Sequence, residues 1–183
     1  MSNLKSPEPV KLISSIFSAD RHPLTEALKE LSAKYGGVDF VSEFIPFDYT
    51  DYYEREMGQS LVRRFAFFED LIRPESLPEI KTFANGVEER FSGSGKRKVN
   101  IDPGYMSQYH LILATGKGYA HRPYLRDGVH ADLTLIYRNK TFQPLEWTYP
   151  DYAEKKIIEM FNRMREKYLL QLKLETTDYA DTA

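Results

Sequence analysis

The residue types best suited to chemistry lie in one short loop, Lys117-Gly-Tyr-Ala-His-Arg-Pro-Tyr124. Lys117 and Arg122 can hold an anionic oxygen, the guanidinium with a two-pronged fork. His121 can exchange a proton near neutral pH. Together they point to a small ligand bearing a phosphate or carboxylate, nucleotide-like in character. A loop whose His and Arg simply pair with nearby carboxylates has the same composition, and both readings stand at this level.

Three other knots could complete such a site. In Asn100-Ile-Asp-Pro-Gly-Tyr105, strand alternation puts Asn100 and Asp102 on one face and Ile101 on the other. Asp102 can serve as acid, base or orienting partner, or it can lock a turn at Pro103-Gly104. The connector from Asp48 to Gly58 carries Tyr52, Tyr53 and Glu56, which can line a pocket mouth. If the connector is helical, Tyr52 and Glu56 are only i, i+4 surface neighbours. In Trp147-Thr-Tyr-Pro-Asp-Tyr152, Thr148 suits a helix N-cap, Asp151 the first turn, and Trp147 a hydrophobic staple. The ligand reading takes His121, Asp102 and Glu56 as candidate acid–base groups. It takes Lys117, Arg122, Asn100, Tyr53, Tyr105 and Tyr149 as candidate binding groups. These motifs name no cofactor and leave open whether the protein is an enzyme.

Other chemistries are disfavoured. Ser92-Gly-Ser-Gly-Lys96 has neither the spacing, the following Ser or Thr, nor the helix of a P-loop. His121 and His130 do not form a compact metal-binding spacing. The chain has no Cys, which removes thiol catalysis and disulfides. A net charge of −2 argues against a general nucleic-acid binder. RNA binding on an exposed aromatic sheet is a weaker option for the same reason. No apolar run approaches the roughly 18 residues that span a bilayer. The N-terminal stretch lacks a signal-peptide core, so a cytoplasmic location without a membrane is expected. Oligomeric state is not fixed. Thirteen Tyr and 11 Phe suit either a wet cleft or a thick aromatic core.

The elements that would position these residues follow from periodicity. Residues 1–9 are expected to be a flexible arm. Val10 to Phe17 reads as a strand, and Pro23 to Tyr35 as a helix stopped by Gly36-Gly37. Val38 to Phe47 and Gln59 to Phe68 read as strands pairing around the connector. In the second of these, Leu61, Phe65 and Phe67 share an alternating face with Arg63 between them. Ser76-Leu-Pro-Glu79 is a capping-box pattern opening a helix. Val99 to Ile101, His110 to Thr115, Ala131 to Tyr137 and Thr141 to Leu145 follow as strands, with a hairpin turn at Asp127-Gly128. A last helix opens near Thr148, and the acidic segment 174–183 is expected to be disordered. The reading is α+β: a single domain over residues 10–173, with a ferredoxin-like β-α-β-β-α-β core, an antiparallel extension and a C-terminal helix.

On the motifs Asp51-Tyr-Tyr-Glu-Arg-Glu-Met-Gly58, Val99 to Tyr105, His121-Arg122 and Trp147 to Tyr152, the chain resembles a bacterial family known as domain of unknown function 4416. The resemblance runs from about Val10 to about Tyr168 and implies a shared fold, but no activity. The functional expectation is therefore a small anionic ligand held over the antiparallel sheet. The alternative is a non-catalytic protein-interaction module using a Tyr-rich sheet face, which would expose an apolar patch.

Overall fold

The computed structural model describes residues 3–180, apart from the side chains of residues 51 and 175–180. Its strands are β1 (Val10–Ser18), β2 (Val38–Val41), β3 (Ile45–Pro46), β4 (Val62–Ile72), β5 (Asn100–Met106), β6 (His110–Thr115), β7 (Tyr124–Arg126), β8 (Val129–Arg138) and β9 (Thr141–Pro144). Its helices are α1 (Arg21–Tyr35), α2 (Glu54–Met57), α3 (Leu77–Arg90), α4 (Pro150–Ala153) and α5 (Lys155–Ala180). The strands form one sheet in the order β2-β4-β1-β5-β6-β8-β7, with β3 on β4 and β9 on β8. Every pairing is antiparallel. The protein is thus α+β.

The two faces of β1 sort the core. Leu12 and Ile16 face α1 and α3, where they meet Leu24, Leu31, Ile80 and Val87. Ile13, with Phe65 and Phe67 of β4, faces the other way and meets Ile157, Phe161 and Met164 of α5. Both faces of the central strands therefore carry helices, and each buried aliphatic or Phe side chain contributes about 1.5–3 kcal/mol.

Several local expectations change for identifiable reasons. The strand expected over Val38 to Phe47 is split, because Ser42 breaks it. The Ser42 backbone N–H donates to the Phe65 carbonyl, and its Oγ accepts from Phe65 N. Asp20 caps α1 by accepting from His22 N at 2.9 Å, so the helix begins at Arg21, two residues before Pro23. Ser76 does not form the expected capping box: its hydroxyl donates back to the Arg73 carbonyl, closing a 3-10 turn over Pro74–Ser76. Thr148 is not an N-cap either. It accepts from Leu145 N and donates to the Thr134 carbonyl, tying the knot to β8. Asp127 and Gly128 both have positive φ, which is the geometry a two-residue hairpin requires. The segment expected to be disordered from 174 carries helical backbone as far as Ala180, and the remainder lies outside the described residues, as do Met1 and Ser2 of the expected arm.

The largest correction concerns Pro103-Gly104, which do not turn but lie inside β5. Ile101 directs its N–H to Glu88 Oε1 and its C=O to Lys81 Nζ, away from β1. Pro103 has the same parity, so its missing N–H also faces away from β1 and weakens no bond to that strand. On that side β6 pairs only from Gly104 onward. A Cβ on Gly104 would collide with the Ile112 carbonyl, so glycine is needed for β6 to approach there. Below Gly104 the sheet parts between β5 and β6. The two α3 side chains satisfy the open edge in place of a strand.

Candidate functional site

Where the sheet parts, its α5-side face changes from apolar to polar. Cross-strand register puts Arg63, Phe17 and Asn100 in one row and Phe65, Ser15 and Asp102 in the next. Asn100 and Asp102 share this face, as alternation requires, and Asn100 Nδ2 donates to Asp102 Oδ2 at 2.8 Å. Lys81 reaches round the open edge to within 3.6 Å of Asp102 Oδ1. On the β8 side, Asp132 pairs with Leu113 in register and so lies on the same face.

Three segments stand round this floor. One is the connector, a 3-10 turn (Asp51–Tyr53) running into α2. The second is the loop Gly116 to Pro123. The third is the knot Leu145 to Tyr152. They touch one another: Lys117 Nζ lies 4.9 Å from the Tyr52 ring centroid, and His121 stacks on Trp147 at 4.8 Å with planes 11° apart. Arg122 Nη2 lies 3.5 Å from the Tyr149 hydroxyl, a long contact that fixes proximity more than energy. Tyr53 packs edge-on against Phe17. Its phenol is pushed up to about 12, first by burial and then by the negative charge of Asp102.

The structure thus brings together most of the residues singled out by sequence. Asp102, Asn100, Tyr53, Tyr149, Lys117, His121 and Arg122 all border one end of one sheet face. His121 Nε2 and Arg122 Nε approach the same carboxylate oxygen of Asp132, at 3.9 and 2.7 Å, so Asp132 rather than Asp102 is the partner of this loop. Glu56 stands at the margin. It is not a surface neighbour of Tyr52 alone, because it holds Arg97 through Nε at 2.6 Å and Nη2 at 2.8 Å. That pairing keeps the Glu56 carboxyl below its usual range. Tyr105 is not brought in: it packs with Ile112 and Leu133 on the opposite face.

Arg97 is the clamp of the whole corner. Besides Glu56 it binds Glu88 Oε2 and Asn100 Oδ1, joining the connector, α3 and β5. Burial raises the Glu88 carboxyl above its ordinary value, although Lys81, Ile101 N–H and Arg97 oppose it. The folded protein therefore holds the Glu88 proton more tightly than the unfolded chain does. Its contribution favours the fold at acidic pH and is withdrawn as pH rises past 4.5 through the raised folded value. Urea titrations at about pH 4 and about pH 8 should show the wild type losing stability relative to Glu88→Gln as pH rises, because the two chains share every other carboxyl, the lowered Glu56 included. Equal pH dependence in both would refute it.

Sequence reasoning missed Arg63 as a site residue. It is buried, pairs with Asp151 of α4, and lies over the ring of Phe47 at 4.2 Å. The signal was present: a charged residue at the even spacing of an otherwise apolar strand face. Asp151, read as a capping residue, is instead the buried partner of that charge. Among the described residues no cluster of three or more His, Asp or Glu is arranged to hold a metal ion. Among the described residues no helix is long and apolar enough to cross a membrane.

The fold and this corner define an α+β protein with a polar, aromatic-bordered corner where its sheet parts. The chain belongs to the family described as Domain of unknown function (DUF4416), whose model matches residues 8–168 and so takes in both the floor and all three rim segments. Neither a curated protein nor a solved structure matches it.

Proposed function

We propose that the ring of rim segments binds a small phosphorylated, nucleotide-like ligand over the floor formed by Asp102 and Asn100. The observation that carries this reading is the convergence itself: segments far apart in sequence bring Lys117, His121, Arg122, Tyr53 and Tyr149 round one opening. Among the described residues Lys117 has the Tyr52 ring, and no carboxylate, beside its ammonium group, which leaves its charge for an anion. Arg122 pairs with Asp132 through Nε, and its outer nitrogens make only long contacts of 3.5 Å, with the Lys117 carbonyl and the Tyr149 hydroxyl, that an anion can replace. Tyr149 and Tyr52, both largely exposed, supply faces on which a planar ring stacks. The four strands β2-β4-β1-β5, with α1 and α3 on one face, support a ferredoxin-like reading of the core. In that reading β6 to β9 form the extension that carries the basic loop.

A thermal-shift series with nucleoside monophosphates and sugar phosphates tests the function. Micromolar binding at a hundredfold excess over Kd should stabilise the protein by about 2.7 kcal/mol. Lys117→Ala and Tyr149→Ala should each lower affinity about tenfold without lowering the ligand-free Tm, since both side chains are exposed at the rim. No stabilisation by any phosphorylated compound would overturn the reading.

A second reading, a protein-interaction surface, is favoured by one specific observation. Tyr49, Tyr52, Tyr119, Tyr124, Trp147 and Tyr149 are all at least partly exposed and lie on or beside the rim segments. Tyr119, His121, Glu146 and Trp147 also line a shallow hollow of about 340 Å³. Such a surface would use the rim loops rather than an open sheet face. It is distinguished by small ligands having no effect while Trp147→Ala abolishes association with a partner.

A further inference from the structure

The hollow beside the rim carries a charge that the phosphate reading leaves unused. Tyr119, Ala120, His121, Glu146 and Trp147 line it. Its walls are aromatic and held in place. Trp147 donates its indole N–H to the Leu133 carbonyl of β8 at 2.8 Å, which fixes the ring against the sheet. His121 stacks on Trp147, and Tyr119 meets His121 edge-on at 5.3 Å. A tight turn sets Tyr119, with the Arg122 N–H donating to the Tyr119 carbonyl at 2.9 Å. A group settling on these rings therefore orders little that is not ordered already.

Glu146 supplies the charge. The other carboxylates of this corner have cations of their own: Asp132 holds Arg122, Glu56 and Glu88 hold Arg97, Asp102 faces Lys81, and Asp151 holds Arg63. Glu146 is exposed and has no ion pair among the described residues. A carboxylate beside aromatic rings selects a positive charge, because the negative faces of the rings attract a cation just as the carboxylate does. An anion would be repelled by both. Among organic cations guanidinium suits the pair best. Its planar fork matches a carboxylate in two places and its flat face lies on a ring, whereas an ammonium group acts as a point charge. The hollow is shallow, so a free ion would be held on one side only. An arginine projecting from a partner protein brings a body that covers the other side. The exposed rings of Tyr124 and Tyr149, on or next to the same two segments, give that body contact area.

We propose that this hollow docks an arginine side chain of a partner protein, with Glu146 pairing the guanidinium and Trp147 and Tyr119 flanking it. This rests on the second reading above, the interaction surface, and supplies the chemistry of its partner. It does not depend on phosphate binding at Lys117.

Trp147 is the only tryptophan of the chain, so its emission reports on the hollow directly. The full chain is titrated with acetylated, amidated tripeptides Gly-Arg-Gly, Gly-Lys-Gly and Gly-citrulline-Gly, and with butylguanidinium chloride. Citrulline has the shape of arginine without its charge, and butylguanidinium has the charge without a peptide. The arginine peptide should change the emission saturably with a Kd of about 1 mM, as befits one side chain. The lysine peptide should bind about threefold more weakly, and the citrulline peptide should give no saturable change. Glu146→Gln should weaken arginine-peptide binding about fivefold and Tyr119→Ala about threefold. Both variants should keep the wild-type Tm, since both side chains are exposed. Equal responses to the arginine and citrulline peptides, or arginine binding undiminished in Glu146→Gln, would leave a general peptide surface at the rim and overturn the guanidinium site. Butylguanidinium should bind at least about threefold more weakly than the arginine peptide. Equal affinity would assign the hollow to a free guanidino compound and overturn the partner protein. No change in emission with any probe would overturn the site altogether.

Discussion

Asp151→Asn should destabilise the protein by about 3–5 kcal/mol, the cost of leaving a buried charge without its counter-ion. Arg63 is only 5% exposed and Asp151 7%, so solvent cannot replace the lost partner. Burial already lowers the Arg63 pKa, which shows how strongly its surroundings resist the charge. Four aromatic rings, of Phe17, Phe47, Phe65 and Tyr152, surround the guanidinium, and their faces offset only part of the desolvation. For a chain of this length the loss corresponds to a fall in Tm of about 6–20 °C. The double variant Arg63→Met with Asp151→Leu should recover more than half of it, because a well-packed apolar pair removes the charge and its penalty together. Thermal and urea unfolding of both variants check this. A single variant as stable as the wild type would mean that the pair does not anchor α4.

Phe161→Ala should cost about 3–5 kcal/mol through the cavity it leaves. Phe161 is fully buried and meets Phe65, Phe67 and Phe142 edge to face at 5.5–6.3 Å. It also lies parallel to Tyr152 at 6.1 Å. The cavity would therefore form directly beneath α4 and loosen both Tyr152 and Asp151. Because the two sites share a neighbour, Phe161→Ala and Asp151→Asn should combine to less than the sum of their separate effects. Strict additivity in urea unfolding would show that α5 packing and the Arg63 pair are independent.

Much of this arrangement can be read from the sequence, but not the parts that depend on long-range pairing. β1, α1 and the Asp127-Gly128 hairpin follow from periodicity and turn chemistry. The shared face of Asn100 and Asp102 follows from alternation alone. The failures have physical causes. Pro103-Gly104 reads as a turn because that pair usually makes one. Only the arrival of Glu88 and Lys81 at the open edge of β5 lets it remain extended. Glu88 and Lys81 are seven residues apart on α3, two turns of helix, and look like surface charges until the parted sheet gives them backbone groups to satisfy. Thr148 has the residue type of a cap, yet the β8 backbone offers it better partners. Nothing local links Asp132 to His121 and Arg122, which lie 11 and 10 residues before it. β7 and β8 form a hairpin, and folding back across it brings the three together.

The charged residues at this corner do not by themselves announce an anion site. Nearly every cation has its own carboxylate, so the composition looks balanced. What distinguishes the corner is Lys117 at the rim, whose ammonium group faces the Tyr52 ring.

The most direct test is a titration of isotopically labelled protein with uridine 5′-monophosphate, followed by backbone and side-chain chemical shifts. A single site predicts that Lys117 and His121 of the loop, Tyr53 of the connector, Tyr149 of the knot and Asp102 of β5 all move with one common Kd. Shifts confined to one segment, or to the Ser92–Lys96 loop, or none at all, would contradict it.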